Sequence, residues 1–346
     1  MSRRIRVLVV EDSLTIRRFL CDVVARDPEL ELVGEAEDGK QAIEQCVALR
    51  PDVITLDMIM PVMSGVTATE YLMAHRPTPI LIVSSSTNRG ELFKTYDALA
   101  AGAVDVLEKP RCDEPADSWA RVFLSTIKMV SRIRVITHLR GLRSPARSSA
   151  APLLRPDSAL VAIGASTGGP GALVEILRNI PTSFTVPILI VQHISDPFGV
   201  AFAEWLDRQS QHRVAIARDG EPVASGNVLF APSGSHLTVV GKRIKLTNAA
   251  ERHSCRPSID VLFESVAAVY GPAVTAGLLT GMGRDGAAGL LAIRLAGGTT
   301  IAQDEATCVV YGMPREAVAL GAAMRILPLG EIGPALAASA GRQEAT

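Results

Sequence analysis

The sequence predicts an α/β protein built from two doubly wound parallel-sheet domains, and three observations carry that expectation. Its 346 residues exceed what one ordinary core organises, since ~150 residues per domain is the usual scale. Hydrophobic residues make up 48% of the chain but aromatics only 4%. The core must therefore be made of Ala, Val, Leu and Ile, as in parallel strands buried on both faces. Short apolar runs also alternate with helical stretches in two series, parted by a segment rich in Arg, Ser, Pro and Ala.

In the first series the runs 7–10, 32–35, 53–56, 80–83 and 104–107 read as five strands with helices between them. Trp119, Val122, Phe123, Ile127 and Val130 recur at a spacing that buries one face of a helix over residues 117–139. That helix closes a domain of residues 1–139. Residues 140–157 show no periodicity and read as a basic linker, with cations from Lys128 to Arg155 and no acidic residue before Asp157. A solvated surface and a docking role fit those cations equally well. The second series starts at Leu160 and gives a domain of residues 158–346, with residues 335–346 expected to fray.

The net charge of −1 gives no global attraction to nucleic acid or to an anionic membrane. The first ten residues imitate a signal peptide until Glu11 and Asp12 interrupt them, and no segment reaches the ~20 apolar residues of a membrane span. Cys21, Cys46, Cys112, Cys255 and Cys308 are scattered and contain no C-x-x-C pair, which points to reduced thiols and a cytoplasmic protein.

Carboxyl ends of parallel strands lie side by side at the crevice where open sheets bind ligands. Glu11 and Asp12 follow the first strand, Asp57 the third, Ser84 the fourth and Lys109 the fifth. Carboxylates so crowded repel one another unless a hard cation, normally Mg²⁺, sits among them. Asp57 then serves to attack a phosphoryl group whose oxygens Lys109 and Ser84 hold.

In the second series, Gly164-Ala165-Ser166-Thr167-Gly168 matches G-x-S-x-G at a strand-to-helix turn, where glycines expose the serine oxygen at the positive end of a helix. Glycine-rich turns also cradle phosphates. A dinucleotide site, however, wants an acidic residue after the next strand, and that strand leads instead to Gln192-His193. His193 is thus the best-placed base for Ser166, while His212, His236 and His253 fall in polar or loop-like stretches suited to surface roles. Asp285, in the loop 279–286, completes the set by orienting His193, and the Thr167 and Met282 N–H groups are oxyanion candidates.

Val-Val-Glu11-Asp12, Leu56-Asp57-Met58-Ile59-Met60-Pro61, Val83-Ser84-Ser85 and Glu108-Lys109-Pro110 together resemble the flavodoxin-like receiver domain of two-component response regulators, over residues 5–139. The resemblance implies that Asp57 accepts phosphate from a histidine kinase and that Asp12 and Asp57 bind Mg²⁺ with support from Glu11. It also implies that Ser84 reorganises with Lys109 on phosphorylation. Val106 stands where many receivers carry a switching aromatic, so an aromatic flip is not carried over.

The motif Ile163-Gly164-Ala165-Ser166-Thr167-Gly168-Gly169-Pro170 is joined by Val191-Gln192-His193, the stretches 256–263 and 312–317, and Leu279-Thr280-Gly281-Met282-Gly283-Arg284-Asp285-Gly286. Together these resemble the three-layer α/β catalytic domain of CheB-type protein-glutamate methylesterases. The implied activity is phosphorylation-activated hydrolysis of glutamate methyl esters on chemotaxis receptors, giving glutamate and methanol, with glutamine deamidation as a related reaction. Ser166 is then nucleophile, His193 base and acid, Asp285 its partner, and no cofactor is expected for the hydrolase. The stretches 256–263 and 312–317 read as packing, and Arg256 as a structural salt bridge ahead of a contact with acidic receptor surface. A receiver-linked transcription factor fits poorly, because the second half is α/β and lacks a basic recognition helix. A noncatalytic receptor-binding adaptor or an esterase for another ester is told apart by activity.

Overall fold

The computed structural model describes residues 3–85, 88–110, 116–133, 135, 158–194 and 198–339. The chain divides into two compact units, Met1–Ser144 and Pro145–Thr346. The expected linker 140–157, the terminal residues 340–346 and Cys112 lie outside the described residues.

The first unit alternates without exception: β1 (Ile5–Val10), α1 (Leu14–Ala25), β2 (Leu30–Ala36), α2 (Gly39–Leu49), β3 (Val53–Leu56), α3 (Gly65–His75), β4 (Ile80–Ser84), α4 (Arg89–Ala100), β5 (Asp105–Glu108) and α5 (Ala116–Val130). Val7 to Val10 and Val53 to Leu56 are buried along their whole length, as continuous apolar strands require. The strands form one parallel sheet in the order β2-β1-β3-β4-β5. Because β1 has β2 on one side and β3 on the other, its carboxyl end opens onto the switch-point crevice. Side-chain caps set the helix starts, with Asp38, Ser64 and Asn88 accepting first-turn N–H groups.

Helix α5 ends at Val130 rather than at 139. There the N–H groups of Arg132 and Ile133 bond carbonyls three residues back, the tight closure that stops an α-helix. Trp119, Phe123, Ile127 and Val130 are buried, whereas Val122 is 48% exposed and sits off the stripe.

The second unit contains β6 (Leu160–Ala165), α6 (Gly169–Asn179), β7 (Ile188–Gln192), α7 (Phe198–Gln209), β8 (Val214–Ile216), β9 (Val228–Phe230), β10 (His236–Val240), β11 (Arg243–Thr247), α8 (Ile259–Tyr270), β12 (Val274–Leu278), α9 (Ala287–Leu295), β13 (Thr299–Gln303), α10 (Met313–Ala319), β14 (Arg325–Leu327) and α11 (Leu329–Ala338). Seven strands form a parallel sheet ordered β14-β13-β12-β6-β7-β9-β8, and β10 pairs antiparallel with β11 as a separate hairpin.

Strand alternation sorts the core. Leu160 and Ala162 of β6 join Leu262, Phe263 and Leu290 of α8 and α9, while Val161 and Ile163 are buried on the opposite face. Helices therefore cover both faces, giving three layers. Residues expected to fray include the buried Ala335 and Leu336, which α11 anchors. The chain leaves β6 towards β7 and returns to β12 on the other side, so the crevice of this sheet opens between β6 and β12.

Candidate active site and phosphoacceptor site

Register delivers the hydrolase residues to one place. Ala165 of β6 pairs with Gln192 of β7, so Ser166 and His193 each follow directly from paired residues on neighbouring strands. The turn after β6 is tight: the Ser166 N–H donates to Thr280 O at 3.0 Å and the Gly169 N–H to Ser166 O at 2.7 Å. Gly168 has φ +80°, a left-handed conformation that glycine adopts at little cost, and it caps α6. Across the crevice a Cβ on Gly281 would come 2.6 Å from the Ser166 Cβ, so the loop after β12 can pass the serine only as glycine.

Asp285 is almost fully buried and saturated with donors. Its Oδ1 accepts from Ser258 Oγ at 2.7 Å and the Asp260 N–H at 3.1 Å. Its Oδ2 accepts from the Ile259 N–H at 2.7 Å and lies 2.9 Å from His193 Nε2. These donors surround the N-terminus of α8, which Ser258 caps, so the helix dipole also favours the negative charge. Burial works against that charge, yet the bonds from His193, Ser258 and Ile259 hold the Asp285 pKa below the usual carboxylate range. At His193 burial disfavours the imidazolium, but Asp285 and Cys255 outweigh it and raise its pKa to about 9.

With Nε2 on Asp285, Nδ1 is the nitrogen left to face a nucleophile. It lies 3.8 Å from the sulfur of Cys255. Among the described residues no hydrogen bond joins Ser166 Oγ to His193, and the N–H groups of Thr167 and Met282 engage no acceptor. Long catalytic contacts are common before substrate binds.

The other four carboxylate and lysine positions converge in the first unit. Asp57 and Glu11 are buried, and Lys109 Nζ lies 3.1 Å from Asp57 Oδ2 and 2.9 Å from Glu11 Oε2. Asp12 joins them, with ligand oxygens of all three carboxylates within 4.8 Å of one another. One ammonium faces three carboxylates. Burial first, and then Asp57, pushes Glu11 up to about 7. Burial likewise raises Asp57 against the pull of Lys109. A cluster of hard oxygens short of positive charge fits Mg²⁺. Ser84 is placed beside them at the end of β4, but its hydroxyl donates to Glu91 Oε1 at 3.2 Å and accepts from Thr95 Oγ1 at 3.2 Å.

Sequence reasoning missed several of these groups. Ser258 lies in the stretch read as packing, yet it supports Asp285; its cap position before an apolar helix was the visible signal. Glu91 and Thr95 gave no signal in the chain because their bonds to Ser84 need α4 packed on the end of β4, and Cys255 gave none because His193 lies 62 residues away. His212 and His236 are not surface residues. His212 Nε2 donates to Ile180 O, and His236 accepts the Ser258 N–H at Nδ1 while donating to Ala250 O, so both are buried with ring hydrogen bonds, two of them at His236. Arg256 makes no salt bridge among the described residues; it donates to the carbonyls of Asn248 and Ala249.

Fold and site together define a receiver-linked α/β ester hydrolase. The chain belongs to the CheB methylesterase family, which it matches over residues 161–336, and residues 7–115 match the response regulator receiver domain. It is 45% identical over 335 residues to a protein-glutamate methylesterase/protein-glutamine glutaminase of Anaeromyxobacter dehalogenans, covering 97% of each chain. A protein of the same name from Pseudomonas aeruginosa is 46% identical over 345 residues, with 98% of each chain covered. The crystal structure of the Thermotoga maritima CheB methylesterase catalytic domain superposes with a TM-score of 0.50 at 38% identity, covering 52% of this chain and 97% of that one.

Proposed function

We propose that the protein hydrolyses γ-glutamyl methyl esters on methyl-accepting chemotaxis receptors to glutamate and methanol, deamidates selected receptor glutamines, and does so under control of phosphorylation. The observation that carries the chemistry is the buried Asp285, fixed by Ser258, Ile259 and Asp260 and bonded to His193 one strand from Ser166. Ser166 Oγ attacks the ester carbonyl as His193 Nδ1 takes its proton. The oxyanion that forms is met by the Thr167 and Met282 N–H groups. His193 then protonates the departing methoxide, and water releases glutamate from the acyl-enzyme by the same proton path in reverse.

The boundaries of this reading are a receiver over 1–139, a linker over 140–157 and the esterase over 158–346. A chemotaxis histidine kinase supplies the phosphoryl group to Asp57. Glu11, Asp12 and Asp57 would hold Mg²⁺, which supplies charge neutralisation when bound. Lys109 and Ser84 are then the groups for the phosphoryl oxygens. No described helix is long and apolar enough to cross a membrane, which accords with a cytoplasmic enzyme reaching the receptors from that side. The test is methanol release from methylated receptor. Ser166→Ala should abolish it while Asp57 still accepts phosphate, and full activity in that variant would overturn the assignment.

A further inference from the structure

We propose that Cys255 and His193 form a site for a thiophilic divalent cation such as Zn²⁺, and that the bound cation reversibly blocks the esterase. The blockade rests on His193 being the general base; the binding site does not.

The geometry starts from the backbone. Residues Arg252 and Cys255 exchange backbone hydrogen bonds across a turn whose inner residues, His253 and Ser254, have φ of +53° and +60°. Two successive side chains in left-handed backbone are uncommon, and this turn holds the half-buried Cys255 sulfur 3.8 Å from His193 Nδ1. A tetrahedral ion ~2.0 Å from a nitrogen and ~2.3 Å from a sulfur separates the two by about 3.5 Å. The 3.8 Å gap is thus within about 0.3 Å of the width a shared ion needs.

The second observation is what lies behind the ring. Metal-binding histidines usually give their other N–H to a carboxylate, which fixes the tautomer and raises the basicity of the ligating nitrogen. Asp285 does this to Nε2 at 2.9 Å. Although Asp285 lies within 4.8 Å of the other two, its oxygens already accept from Ser258, Ile259 and Asp260. It therefore backs the ligand and does not join it. Binding releases to solvent the Cys255 thiol proton and the proton that His193 Nδ1 carries in its imidazolium form, and the Nδ1 lone pair that would take the Ser166 proton goes to the metal. Nitrogen and thiolate ligands select Zn²⁺ over the oxygen-seeking Mg²⁺ of the receiver.

The experiment uses full-length protein. Methanol release is measured against Zn²⁺ and Mg²⁺, each variant normalised to its own rate in chelator, and Co²⁺ is added as an optical probe. Zn²⁺ but not Mg²⁺ should inhibit, with recovery in chelator. Loss of an outer partner alone costs roughly 10- to 100-fold in metal affinity, so Cys255→Ser should raise the half-inhibiting Zn²⁺ concentration by at least about tenfold. Co²⁺ should give a near-ultraviolet thiolate charge-transfer band that disappears in both Cys255→Ser and His193→Ala. The second variant keeps the thiol, so a misfolded Cys255 variant cannot mimic the result. Equal inhibition of Cys255→Ser, or a band that survives in it, would overturn the site. A band that behaves as expected with methanol release undiminished by Zn²⁺ would overturn the blockade and with it His193 as base.

Discussion

Both crevices lie at the carboxyl ends of parallel strands, but they treat a buried aspartate in opposite ways. Asp285 has three donors besides His193, all from around the start of α8, and is settled as an anion without any added charge. Asp57 has the Met58 N–H at 2.7 Å and a lysine shared with Glu11, and its pKa is raised. A catalytic carboxylate gains from being fixed before substrate arrives, because preorganised dipoles need no rearrangement during reaction. A phosphoacceptor gains from the reverse, since incomplete compensation leaves room for a cation and a phosphoryl group. Under the proposed function, the same fold position would serve as a fixed support in one unit and as a switch in the other.

The sharpest way to break this contrast is Asp285→Asn. It leaves the serine and the oxyanion donors but loses the charge that orients His193, and turnover should fall by about 10⁴-fold. Unchanged turnover would move the support role elsewhere. The pH profile follows from the same pair. A general base works only when neutral, and His193 carries its proton up to about pH 9. In metal-free buffer kcat/KM should therefore climb with pH, roughly tenfold per unit from neutrality, and level near that value. A profile already flat at neutral pH would show that Asp285 and Cys255 do not hold the proton there.

Smaller changes probe each side separately. Ser258→Ala removes one hydrogen bond to the buried Asp285 carboxylate. Bonds to charged groups contribute ~1.5–3 kcal/mol, so a loss of about 10- to 100-fold in turnover is expected, with the acceptor role of His236 unchanged. On the receiver side, Ser84 must leave Glu91 before it can serve a phosphoryl oxygen. Glu91→Gln replaces a charged acceptor by a neutral one, worth ~1 kcal/mol. The phosphodonor concentration for half-maximal activation should fall about fivefold, and an unmoved midpoint would show that Glu91 does not restrain Ser84.

The sequence by itself determined much of this. Apolar runs and turn residues predict the alternation of both sheets, because a strand buried on two faces has few other compositions open to it. The motifs around Asp57, Ser166 and Asp285 point to strand ends for a local reason too: carboxylates and a serine there bring chemistry, and the glycines beside Ser166 and Asp285 permit tight turns and close approach. Only the tertiary structure decided which neighbours complete each site. Ser258 and Asp285 are 27 residues apart, and Cys255 and His193 62. Those pairings depend on β12 returning beside β6 and on α8 aiming its N-terminus at the crevice, which is a matter of strand order and not of any local pattern. The burial of His236 was invisible for the same reason, whereas the hold of Glu91 on Ser84 spans seven residues and depends on how α4 packs on the end of β4. A side chain's partner is set by three-dimensional register, whereas its own propensity is all that a stretch of sequence displays.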